Sequence, residues 1–124
     1  MILLDSNIVI YLRDPDYSAH IAAQLQGMRI YTCNVVVSEV LGFGGLEQQD
    51  VKYFADLLES MKNLPFDQSI TNRVVDMRRQ IQIQLPDAII AATAMVHSLE
   101  LWTHNTKDFE KIPNLRLHDP LSKP

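Results

Sequence analysis

The stretch Leu85-Pro86-Asp87-Ala88-Ile89-Ile90-Ala91-Ala92-Thr93-Ala94-Met95 decides how the rest of the chain is read. A proline at a first helical position has its φ already set for the helix and gives up no donor the helix needs. After Asp87 the residues are apolar or small apart from Thr93, which predicts a helix over 85–98 that is apolar on nearly every side. Such a helix is buried. Its alanines leave little bulk, so neighbouring backbone can approach closely. At its mouth sits one carboxylate, Asp87, and a helix N-terminus offsets only part of the cost of placing a charge there. Something else must supply the remainder.

Outward from this helix, short apolar runs alternate with helical patterns. Met1–Leu4 reads as a buried strand, Asp5-Ser6-Asn7 as a turn, and Ile8–Leu12 as a helix closing near Arg13-Asp14-Pro15. A helix over 17–26 stops at Gly27, a strand covers 29–32, and Asn34 caps a helix running to Phe43. Apolar residues at Val51, Phe54, Leu57, Leu58 and Met61 give a helix over 48–61. Leu64-Pro65-Phe66 is a short strand, and Asp67 or Ser69 starts a helix through Ile81. Beyond the 85–98 helix follow a strand at 100–103, a helical turn at 107–110 and a short strand at 115–117. This alternation predicts an α/β fold, a three-layer α/β/α sandwich with a central, mostly parallel sheet.

The 124 residues suit one domain spanning 1–124, and 47% hydrophobic with 21% charged residues fits a soluble globular protein. No apolar run approaches the roughly 20 residues of a membrane helix, and nothing before Asp5 resembles a signal peptide. No membrane is expected. The one cysteine, Cys33, forms no internal disulfide and fits a reducing cytoplasmic setting as a small core residue. His20, His97, His104 and His118 are scattered and make no metal-spaced pair with Cys33. No glycine-rich loop opens a helix to cradle a phosphate.

In open α/β sheets, ligands bind beyond the carboxyl ends of the strands. Asp5 directly follows the first strand, and Asn105 and Asp108 follow the Trp102 strand, so acids far apart in sequence point to one sheet edge. Each alone has a plain structural reading. Asp5 can cap a helix, and Asp87 and Asp108 can complement a helix dipole. Glu39 has uncharged neighbours at Val35, Val36, Gly42 and Phe43 and no basic partner three or four positions away. Together the four carry more. Converging carboxylates do not all ionise at neutral pH without a cation. An all-oxygen site suits Mg²⁺ or Mn²⁺ better than zinc. The chemistry implied is metal-dependent phosphodiester hydrolysis.

The net charge of −4 argues against a broadly basic nucleic-acid surface. With four of the 15 acids set aside in such a site, the other eleven balance the eleven lysines and arginines. Arg73, Arg78, Arg79, Lys107 and Lys111 are candidate phosphate contacts, or simply a solvated surface.

Asp5-Ser6-Asn7, Ser38-Glu39-Val40-Leu41, the Leu85–Ala94 stretch and Thr103-His104-Asn105-Thr106-Lys107-Asp108-Phe109 together resemble the PIN-domain family, in particular its VapC-type toxin ribonucleases. The resemblance covers essentially the whole chain. It implies a Mg²⁺- or Mn²⁺-dependent endoribonuclease acting on RNA, a homodimer, and a small cognate antitoxin whose tail occupies the groove. It assigns the catalytic acids to Asp5, Glu39, Asp87 and Asp108. It implies Asp5 and Asp87 as principal metal ligands, Asp108 as a direct or water-mediated ligand, Glu39 as a further ligand or general base, and Ser6 and Asn105 as supporting residues. Val36 stands where many members have a hydroxyl, and Gln84 where many have a base. The rival readings are a PIN-like module that binds nucleic acid or a partner without catalysis, and a phosphoacceptor receiver domain with Asp67 as acceptor.

Overall fold

The computed structural model of the chain describes residues 1–122. In chain order it contains β1 (Ile2–Leu4), α1 (Ser6–Tyr11), α2 (Ser18–Leu25), β2 (Ile30–Cys33), α3 (Asn34–Leu41) and α4 (Gln48–Glu59). These are followed by β3 (Lys62–Leu64), α5 (Gln68–Gln80), α6 (Leu85–Val96), β4 (Glu100–Trp102), α7 (Thr106–Phe109) and β5 (Leu117–His118). The strands form one sheet in the order β3-β2-β1-β4-β5, and every neighbouring pair is parallel. The expected mostly parallel sheet is therefore parallel throughout.

The order explains the layering. The chain steps outward from β1 through β2 to β3, then returns to the other side of β1 for β4 and β5. Parallel crossovers are right-handed, so the two directions of travel send their helices to opposite faces. α1 and α4 pack against α3, and α5 lies along α6. β1 is flanked on both edges and covered on both faces, which is why Ile2, Leu3 and Leu4 are all buried.

α6 is the most enclosed helix, with every residue from Ala88 to Ala94 buried. Thr93, its one polar interruption, donates its hydroxyl to the Ile89 carbonyl at 2.7 Å, so no polar side chain in that run lacks a partner. α2 ends as the glycine signal predicts: Gly27, with φ of 78°, takes a left-handed conformation that few other residues adopt.

Two strands sit elsewhere than the apolar runs suggested. β3 is Lys62–Leu64 and not Leu64-Pro65-Phe66. Pro65 has no N–H to give a ladder, and Phe66 is exposed. At the other edge, β5 is Leu117–His118 and not 115–117, after Asn114 turns the chain with φ of 66°. Among the described residues, no helix is long and apolar enough to cross a membrane.

Candidate active site

The reversal of strand order falls between β1 and β4, the place where an open α/β sheet leaves a crevice at its carboxyl edge. In the register of this pair Leu4 faces Trp102, so the next residues, Asp5 and Thr103, emerge side by side. The Asp5 backbone N–H donates to the Trp102 carbonyl at 2.9 Å. Asp5 is only 4% exposed. One carboxylate oxygen accepts from the Ser6 N–H at 2.8 Å, and the other accepts from the Thr103 hydroxyl at 2.7 Å. The Thr103 hydroxyl in turn accepts the Asn105 N–H at 3.0 Å. Burial still wins over these bonds, and it holds the Asp5 carboxyl above its usual value.

Asp5 is thus both a helix cap and a member of an acidic group, so the two readings of this residue do not compete. Its two oxygens offer about four lone-pair positions, of which the two hydrogen bonds take two. Lone pairs remain for a cation.

The other acids come from three different elements. Asp87 lies in the first turn of α6, which starts at Leu85 with Pro86 in its first turn and no side-chain cap from Gln84. Burial, then the negative charges of Asp5, Asp108 and Glu39, push the Asp87 carboxyl up to about 6. Glu39 sits on α3 with its side chain at the exposed rim. Partial desolvation raises it and Asp5 adds to the rise, while the Ser6 hydroxyl eases its ionisation. Asp108 is exposed in α7 and is felt by both Asp5 and Asp87. The structure thus brings Asp5, Asp108 and Glu39 within electrostatic reach of Asp87. It does not assemble them into a ready-made cage: among the described residues, no three His, Cys, Asp or Glu side chains stand together as a metal-holding group. The donor set nevertheless fits a hard divalent ion. It is all oxygen, and Asp5 and Asp87, its two least exposed members, are short of solvent and face the charge of other acids, which is the situation a cation relieves.

Ser6 lies at both Asp5 and Glu39. Asn105 acts through its backbone N–H on Thr103, and its side chain makes no cap to α7. Thr103 is the supporting residue that the sequence reading missed. The signal for it is the β1–β4 register, which sequence alone does not provide.

A cleft of about 560 Å³ opens beside this edge, lined by Asp87 and Asp108 together with Arg78, Lys111 and the α5–α6 loop from Ile81 to Gln84. Asp5 and Glu39 are not part of its lining. Of the five candidate phosphate contacts, Arg78 and Lys111 line the cleft; Arg73 lines other hollows, near Met95. Two of the histidines take structural partners: His104 meets Asp119 at 3.1 Å and His118 meets Gln24 at 2.9 Å. Cys33 is buried, and burial raises its thiol, which makes it a poor nucleophile. Asp67 caps α5 by accepting from Ile70 at 3.1 Å and from Ser69 at 2.7 Å. That role and the sheet order, which differs from the 2-1-3-4-5 order of receiver folds, remove the phosphoacceptor reading.

Comparisons with known proteins agree with this geometry. The PIN domain family matches residues 2–115. Among solved structures, a toxin–antitoxin complex from Klebsiella pneumoniae contains a chain 32% identical, with a TM-score of 0.82, covering 99% of this chain and 100% of its own. VapBC-1 from nontypeable Haemophilus influenzae is 26% identical with a TM-score of 0.83, covering 98% and 100% of the two chains. FitAcB from Neisseria gonorrhoeae is 26% identical with a TM-score of 0.78, covering 97% and 98%. A sequence comparison with curated proteins gives no significant match. A parallel sheet reversing between β1 and β4, acids gathered where it reverses, and a match across almost the full length place this chain in the PIN domain family.

Proposed function

We propose that this chain is a divalent-metal-dependent endoribonuclease, the toxin of a toxin–antitoxin pair. The carrying observation is the Asp87 carboxyl, pushed up to about 6 by burial and by acids from three other segments. Such crowding of like charge is unfavourable for a fold and is accounted for when a cation and a phosphodiester are its natural occupants. The chains similar to this one in the Klebsiella and Haemophilus structures occur in toxin–antitoxin or VapBC complexes, which supports an antitoxin as partner.

Asp5, Asp87 and Asp108 would hold Mg²⁺ or Mn²⁺, which when bound neutralises charge on the phosphoryl group and acidifies water. Asp5 is the fixed member, clamped by Ser6 and Thr103. Glu39, raised in pKa and open at the rim, takes a proton from the attacking water as general base. Water attacks phosphorus in line and the bond from phosphorus to the 3′ oxygen breaks. The 3′ oxygen takes up a proton, leaving a 3′-hydroxyl and a 5′-phosphate. A homodimer is part of this proposal, as is action in the cytoplasm on RNA.

The absence of a ready-made metal cage among the described residues favours one other reading, a PIN-like module that binds without cutting. One assay separates the two. The purified chain is incubated with total RNA, with Mg²⁺ or Mn²⁺ and with EDTA, and the new ends are mapped. Cleavage with metal, none in EDTA, and none by Asp5→Asn that folds normally is the expected result. Full cutting in chelator ends the proposal, and binding without cutting in every condition transfers it to the second reading.

A further inference from the structure

Two acids alone would make the cleft hostile to an RNA backbone, since a polyanion is repelled by a carboxylate-lined wall. The cleft also carries two cations: Arg78 from the last turn of α5, and Lys111 from just beyond α7. Cations beside carboxylates ordinarily pair with them. These two do not. The ion pairs among the described residues are Arg13–Asp50, Lys52–Asp56 and His104–Asp119. Arg78 is nevertheless held in place. Its Nε donates to the Ile83 carbonyl at 3.3 Å, which ties the end of α5 to the loop leading into α6. Among the described residues, the N–H groups of its two terminal nitrogens are unengaged. A guanidinium anchored in that way keeps a planar fork of donors suited to two oxygens of one phosphate.

We propose that Arg78 and Lys111 are the phosphate-holding residues of the cleft, gripping the RNA backbone from two different elements so that the strand passes Asp87 and Asp108. Arg78 supplies a directional fork and Lys111 a point charge. Neither touches the reacting phosphorus; both position the strand, and the assignment rests on the ribonuclease reading above.

The test is anisotropy of a labelled single-stranded RNA oligonucleotide, titrated in EDTA with the chain in an Asp87→Asn background across a salt series. Arg78→Ala should weaken binding about 5- to 10-fold and Lys111→Ala about 3-fold. Each should flatten the salt slope by ~0.7, the value of one phosphate contact on a single strand. Arg78→Lys should restore the slope with part of the affinity, and Lys62→Ala, at the start of β3 and outside the cleft, should change neither. Affinity that falls at constant slope means that Arg78 acts only through the loop it ties, which overturns the proposal. Unchanged affinity and slope in both alanine variants overturn it too, and if wild-type chain still cuts RNA with Mg²⁺ the ribonuclease reading survives. A wild-type chain that neither binds nor cuts RNA overturns both together.

Discussion

From Ala88 to Ala94, α6 is wholly buried and its single hydroxyl is bonded within the helix. One residue earlier, burial and the charges of three other acids push the Asp87 carboxyl up to about 6. The same twelve-residue helix therefore contains a body that stabilises the fold and a mouth that weakens it. The body supports the mouth, since a helix held by packing along its length keeps an unfavourable charge fixed at its end. Stability and chemistry are divided along one axis.

The sharpest way to break this comparison is to cut the body. Ile90→Ala should lower unfolding free energy by about 2–5 kcal/mol, read by denaturant titration, while the fraction that stays folded keeps its cleavage rate. A lost rate in fully folded protein would show that body and mouth are not separate. Asp87→Asn attacks the mouth instead. Cleavage should fall on the order of 10²–10³-fold, while in EDTA at pH 7.5 the variant melts at a higher temperature than the parent. A variant that melts lower would mean the charge is stabilising, contrary to the division drawn here.

Smaller effects sharpen the picture. Thr103→Val strips one bond from a buried carboxylate, which should cost about 1–3 kcal/mol. It should also move the acidic limb of the rate–pH profile upward, because the ionised form of Asp5 loses a donor. An unmoved limb would separate Asp5 from catalysis. The last test is pH. Asp87 titrates near 6 in the folded chain and near ~3.9 unfolded. Between those values the folded state holds a proton that the unfolded state has released. Stability from this group is therefore greatest at the acid end, falls as pH rises through the window, and is level above it. Solvent screening at this half-open position reduces the effect to about 1 kcal/mol. The melting-temperature difference between parent and Asp87→Asn, measured without divalent ions from pH 4 to pH 7.5, should widen through that window. A constant difference counts against the raised value.

The body of α6 was legible in the sequence because an unbroken apolar run after a proline has few other uses. β1 was legible for the same reason. The edges were not. β3 contains Lys62 and Asn63, both exposed, so its strand character lies in pairing with β2 and not in its own pattern. The apolar Leu64-Pro65-Phe66 drew the strand two residues too far. Asp5 and Asp108 could be singled out as candidates because each follows a strand, Glu39 because no basic residue lies three or four positions away, and Asp87 because it opens an apolar helix. Thr103 could not, since a threonine after a strand gains meaning only once β4 is known to lie against β1.

That adjacency has a consequence for how the protein is made. β1 lies in the middle of the sheet, yet one of its two neighbours, β4, follows nearly a hundred residues later. On the ribosome, the nascent chain can join β1 to β2 and β2 to β3 early, but one side of β1 stays open until Glu100–Trp102 emerges. Asp5 lacks its threonine clamp until the same moment. A polypeptide interrupted before that point has no assembled acidic edge, so whatever chemistry that edge performs is withheld until synthesis has passed the fourth strand.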